Sequence, residues 1–151
     1  MFDTEKRRQR NALRFLELVV VDALDAPSAR LRKPRRRPRA VTRQDGAVVC
    51  ERCTVADSPL PRMRGLLGRR DLSSGEGLLL RPAGSIHTFF MRFPIDAVFI
   101  DREGRIVRVA RSIRPWRAAA ARGARSVLEL RAGECDRRRL QTGDVLEIGA
   151  S

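Results

Sequence analysis

Six residues of the 151-residue chain have the types and surroundings that recognition chemistry uses: Arg64, His87, Phe90, Arg92, Asp96 and Trp116. Arg64, Arg92 and Asp96 are each flanked by apolar residues whose pattern predicts burial, and a charge in such surroundings needs a partner. Two readings stand side by side. In one, an arginine pairs with Asp96 and stitches a turn to a strand bend, using the bidentate geometry open to a guanidinium group. In the other, Arg64 and Arg92 hold a carboxylate or phosphate, Asp96 orients an arginine, and Phe90 and Trp116 supply apolar walls.

His87 is the only histidine. A histidine beside a pocket would titrate near neutrality, whereas a strand-end histidine satisfied by backbone is the simpler reading. Ser85, His87 and Asp96 make a Ser-His-Asp set on paper. No nucleophile elbow surrounds Ser85, so no catalytic residue is assigned and hydrolase chemistry at His87 stays an alternative. Cys50-Glu-Arg-Cys53 has metal-ligand spacing, and Cys135 and His87 would complete a Cys₃His zinc set. Strand alternation sends residues three apart to opposite faces. Ordinary strand cysteines are therefore expected, with neither metal nor cofactor. Gly65, Gly68, Gly75 and Gly77 lack the Lys-Ser/Thr of a phosphate loop and read as turns and caps.

These residues need a scaffold, and from Gly46 onward the chain supplies short apolar runs between turn signals, the mark of a β-rich domain. Strands are expected over Ala47–Val55, Gly77–Arg81, His87–Phe93, Ile95–Asp101, Arg105–Ile113, Ser126–Arg131 and Val145–Ile148. Asp101-Arg-Glu-Gly104 is a hairpin turn, with Gly104 supplying positive φ. Ala97 to Ile100 is apolar on both faces and belongs mid-core. Pro61 to Leu67 fits one or two helical turns ended by Gly68, and Pro115 to Gly123 reads as a loop around the sole Trp. The expected architecture is mainly β: a single antiparallel sandwich or barrel-like domain of about seven strands with one short helix, spanning residues 46–151.

Residues 1–45 have a different texture. Asp3 to Asp25 reads as a weak amphipathic helix, with Leu13, Leu16, Val20 and Leu24 at helical spacing and its charges opposed to the helix dipole. Pro27 to Arg43 is Pro-broken and Arg-dense, and reads as a disordered linker. The formal charge of +14 is shared equally, +7 in residues 1–45 and +7 in the remainder, so the first third is about twice as charge-dense. Arg32, Lys33, Arg35, Arg36, Arg37 and Arg39 would meet nucleic-acid phosphates without reading sequence. No aromatic lies among them to stack on a base. A chain with only two lysines, rich in Ala, Arg, Leu and Gly, also carries the imprint of compositional bias.

No apolar run approaches the roughly 20 residues of a membrane-spanning helix. Glu17 and Asp22 interrupt what would be the core of a signal peptide. Three cysteines cannot all pair, which favours a reducing, cytoplasmic setting.

Taken together, several short motifs resemble one family. They are Val55-Ala-Asp57, Arg62-Met-Arg-Gly-Leu-Leu-Gly-Arg69, Gly75-Glu-Gly77, His87-Thr-Phe-Phe-Met-Arg92, Pro94-Ile-Asp96 with Phe99-Ile-Asp101, Val127-Leu-Glu-Leu130 with Ala132-Gly133, and Gly143-Asp144. From about Ala47 to the C-terminus they make the chain similar to domain of unknown function 192, a bacterial and archaeal family without an established reaction. The resemblance implies one β-sandwich or barrel-like domain. Many relatives carry a secretory or lipoprotein leader where this chain has a basic segment. The leading functional expectation is a non-catalytic binding module for a small anionic ligand or peptide; the alternatives are nucleic-acid association through the basic segment and a hydrolase using His87.

Overall fold

A computed structural model of the protein describes residues 38–57, 66 and 69–149. Nine strands and one four-residue helix make up the described chain: β1 (Arg39–Arg43), β2 (Val48–Ala56), β3 (Glu76–Leu80), β4 (Ser85–His87), β5 (Ile95–Ile100), β6 (Ile106–Ile113), β7 (Ala118–Ala120), β8 (Ser126–Arg131), α1 (Glu134–Arg137) and β9 (Leu146–Ile148). Seven strands form one sheet in the order β6-β5-β8-β3-β2-β1-β9, and β4 and β7 pair as a second, small sheet. No described helix is long and apolar enough to cross a membrane.

The fold is mainly β with one short helix, as the sequence pattern implies. The pivot is β5, every residue of which is buried. Its alternation feeds two cores. Val98 and Ile100 join Val41, Val49, Leu79, Ile106, Leu128, Leu130 and Leu146, a set drawn from all seven strands of the large sheet. Only a strongly curled sheet brings its first and last strands into one cluster, so this core lies on the concave side. Ile95, Ala97 and Phe99 point the other way, where Leu72, Ile86, Met91 and Phe93 cover them. Burying such aliphatic side chains stabilises by about 2 kcal/mol each.

The curl brings the two edge strands together. Arg105 bridges Val145, the Ile106 N–H donates to the Asp144 carbonyl at 2.8 Å, and the Leu146 N–H donates to the Gly104 carbonyl at 2.8 Å. The contact is an isolated bridge and not a ladder, so the sheet rolls without closing into a barrel. Gly104 is required here on two counts. Its φ is 83°, and a Cβ would stand 2.7 Å from the Leu146 carbonyl oxygen.

Five features differ from the sequence reading. First, the pairing is mixed, because β2 and β3 run parallel. Second, β1 occupies Arg39–Arg43, within the stretch read as linker; Val41 is its one fully buried side chain, too little to signal a strand. Third, the strand expected over His87–Phe93 stops at His87, and the next residues turn. Fourth, the loop around Trp116 contains β7. Fifth, the described helix is Glu134–Arg137. The helices expected over Asp3–Asp25 and Pro61–Leu67 lie outside the described residues, apart from Leu66, a buried turn residue.

A bulge in β2 corrects the reasoning about cysteine spacing. Arg39 pairs with Cys53 and Val41 with Cys50, so Glu51 and Arg52 together oppose Ala40. Their two N–H groups share the Gly75 carbonyl at 3.0 Å each. The extra residue resets the alternation, and Cys50 and Cys53 enter the same concave core, with Cys135 beside them.

Candidate functional site

The site grows from Thr88, the first residue after β4, which is completely buried. Its N–H donates to the Arg117 carbonyl at 2.8 Å, and its carbonyl accepts from Trp116 at 3.0 Å and Met91 at 3.3 Å. Its hydroxyl lies 2.7 Å from the Arg114 carbonyl and 3.2 Å from that of Arg117, and accepts the Arg117 N–H at 3.0 Å. One threonine thus fastens the turn after β4 to the turn before β7. The β4–β7 ladder, His87 opposite Ala118, continues the same joint.

What the joint holds in place is a row of rings. His87 stacks on Phe89 with centroids 5.0 Å apart, Phe89 meets Trp116 at 5.9 Å, and Phe90 meets Trp116 edge-to-face at 4.6 Å. Phe90 and Trp116 are both 53% exposed, an unusual outlay of apolar surface for residues that pack well in a core. Both also sit at φ 62°, in the left-handed region. For bulky residues that conformation costs on the order of 1–3 kcal/mol and persists only where the surroundings impose it.

His87 is half-buried, and its Nδ1 is sealed from solvent with no hydrogen-bond partner. Burial lowers its pKa below the ordinary value, which favours the neutral imidazole stacked on Phe89.

Within the expected polar set, Arg92 and Asp96 do not meet. Asp96 is fully buried, but its Oδ1 accepts the Ser112 N–H at 2.8 Å, and its Oδ2 accepts those of Gly133 and Cys135 at 3.0 and 2.9 Å. Three backbone donors satisfy the charge, and no cation among the described residues pairs with it. Arg92 is exposed, so an Arg92–Asp96 pair is absent. Arg64 lies outside the described residues. With both Asp96 oxygens held by amides and His87 Nδ1 unpartnered, Ser85, His87 and Asp96 form no relay. Of the six residues singled out, the structure brings His87, Phe90 and Trp116 into one row. Thr88 and Phe89 were missed, because reading the run as a strand hid the turn. Of the basic-segment residues, Arg39 opens β1, and Arg32, Lys33, Arg35, Arg36 and Arg37 lie outside the described residues.

Residues 40–148 match the model of the family domain of unknown function 192, described as an uncharacterized ACR. The chain belongs to the domain of unknown function 192 family. A UPF0127 protein from Thermococcus sibiricus is 30% identical over 112 residues, which span 71% of this chain and 72% of that protein. Among solved structures, a protein of unknown function from Novosphingobium aromaticivorans superposes with a TM-score of 0.66 at 24% identity, covering 82% of this chain and 94% of its own. A Sinorhizobium meliloti protein, provisionally described as a transcription regulator, gives the same score and identity over 74% and 92%. At that identity the likeness speaks for the fold alone.

Two other clusters in this member of the domain of unknown function 192 family carry unusual chemistry. All three cysteines are free and buried. The Cys50 thiol donates to the Gly75 carbonyl at 3.4 Å and the Cys53 thiol to the Thr54 carbonyl at 3.8 Å; the proximity of the two thiols and their burial raise the pKa of Cys53. Burial, reinforced by the Asp96 carboxylate, raises that of Cys135. Among the described residues no three His, Cys, Asp or Glu side chains are placed to hold a metal ion. Glu129, in the middle of β8, is the second cluster's centre: it lies between Leu78 of β3 and Ala97 of β5. Its Oε2 is buried with no hydrogen-bond partner, and burial pushes its pKa up to about 7.

Proposed function

We propose that the domain is a non-catalytic binding module, and that its recognition element is the Phe90–Trp116 pair presented on the Thr88 joint. The observation that carries this reading is the combination of exposure and strain: two large rings stand half in water on left-handed backbone that a buried threonine enforces. A domain that gained nothing from those rings would relax the backbone or bury them. The ligand class is a small anionic molecule or acidic peptide with a flat or apolar group. The flat group stacks on the aromatic row, where such contacts are worth about 1 kcal/mol beyond area burial. Arg92, Arg114 and Arg117, exposed on the same two turns, supply positive charge.

Trp116 is the only tryptophan and therefore reports its own occupancy. Titrating a panel of aromatic carboxylates and short acidic peptides should change its fluorescence with saturation, and Phe90→Ala should weaken the response about tenfold or more. Flat titrations across the panel, or a Phe90→Ala protein that binds as wild type does, would refute the reading.

A further inference from the structure

A second site shares no residue with the aromatic row. At the end of the rolled sheet where β3, β5 and β9 terminate and β8 begins, a cavity of about 420 Å³ is lined by Arg81, Arg102 and Arg125, with Asp101 and Ser126 among its polar walls. Ile100, Leu146 and Ile148 supply its apolar lining. The size lies within the range of small-molecule pockets. Seven arginines elsewhere on the domain, Arg43, Arg52, Arg69, Arg111, Arg131, Arg137 and Arg138, each pair with a carboxylate. None of the three cavity arginines has an ion-pair partner among the described residues.

The wall is otherwise well satisfied. Asp101 Oδ1 accepts the N–H groups of Glu103 and Arg105 at 3.0 and 2.8 Å, which turns that carboxylate oxygen toward its own hairpin. The backbone N–H groups of Arg81 and Arg125 are spent on the Ala56 and Ile100 carbonyls. That leaves three guanidinium heads and the hydroxyl of Ser126, a residue only 6% exposed whose hydroxyl makes no hydrogen bond among the described residues. Three cations set against one carboxylate leave a charge of +2 around a hydroxyl donor and an apolar wall.

We infer that this cavity is an oxyanion site for a phosphomonoester-class ligand, a dianion whose charge matches the surplus. Guanidinium groups recognise such oxygens with paired N–H donors. Ser126 Oγ donates to a further oxygen, and Ile100, Leu146 and Ile148 take the apolar part of the ester.

The test uses the full chain and inorganic phosphate as probe, followed by calorimetry and by thermal unfolding against sodium chloride of equal ionic strength. Phosphate should raise the unfolding temperature beyond the chloride control. The double variant Arg81→Ala/Arg125→Ala, which removes no ion pair among the described residues, should weaken phosphate binding about tenfold or more. The charge-matched control Arg70→Ala/Arg139→Ala, two exposed arginines that line neither site, should bind phosphate as wild type does. Ser126→Ala should weaken it about threefold to tenfold. Equal losses in both double variants would mean unspecific attraction to a basic protein and would overturn the assignment. So would a stabilisation no greater in phosphate than in chloride. Phe90→Ala should leave phosphate binding unchanged, so this site and the aromatic reading fail separately.

Discussion

Replacing Glu129 by Gln gives the sharpest prediction, because it reverses the usual consequence of disturbing a core. Glu129 sits at the middle of the seven-stranded sheet with one carboxylate oxygen sealed and unpartnered, and burial lifts its pKa from 4.5 to about 7. The folded state therefore keeps a proton that the unfolded chain releases at lower pH. The stability this group allows is complete below the unfolded pKa and is lost as pH rises through the folded one. A shift of that size corresponds to about 3 kcal/mol, at 1.36 kcal/mol for each pKa unit. The burial is nearly complete, so solvent screening takes little from the figure. Gln has the same shape and no charge at any pH. Urea unfolding should find the two proteins nearly equal near pH 5, and Glu129→Gln more stable by roughly 2–3 kcal/mol at about pH 8. His87, with its pKa lowered by burial, titrates in the opposite sense: its contribution to stability falls as pH drops through its folded pKa. That contribution is common to both proteins and cancels in their difference. A wild-type-minus-variant difference that stays constant with pH would refute the argument that Glu129 is buried without a partner.

Two further substitutions probe the joints of the fold. Asp96→Ala leaves the N–H groups of Ser112, Gly133 and Cys135 without their acceptor, and should cost about 3 kcal/mol in chemical denaturation; a loss under about 1 kcal/mol would mean that water replaces the carboxylate. Thr88→Val keeps the shape but removes the hydroxyl bonds to Arg114 and Arg117. It should cost about 1–2 kcal/mol, and it should also loosen Trp116, seen as a red-shifted emission and lower anisotropy; unchanged emission would remove Thr88 from its positioning role.

How far the sequence foretold this arrangement varies by element. The strands β5, β6 and β8 were legible because runs such as IDAVFI leave no polar face to expose, and the turn before β6 announces itself through Gly104. Strand β1 was not legible, because Arg-Ala-Val-Thr-Arg has one apolar residue to bury and owes its conformation to neighbours on both sides. The bulge that puts Cys50 and Cys53 on one face follows from pairing against Ala40, which no local pattern encodes. Within the site, Phe90 and Trp116 were recognised by type, but their left-handed backbone was hidden, since bulky residues seldom adopt it. The expectation that ions in apolar surroundings meet opposite charge describes Glu134 well: it is 5% exposed and accepts from Arg137 at 2.7 Å and Ser74 at 3.1 Å. Asp96 is met instead by backbone amides, which residue identity does not display. Glu129 meets no charge and holds its proton to a higher pH.

The concave core also equips the protein with an internal clock. Cys50, Cys53 and Cys135 lie where no reagent reaches them while the sheet stays rolled, and the seam between β6 and β9 is only one bridge wide. Each modification of a thiol by a water-borne alkylating agent therefore marks a moment when the core came open. The chain keeps a chemical tally of its own breathing without any attached dye.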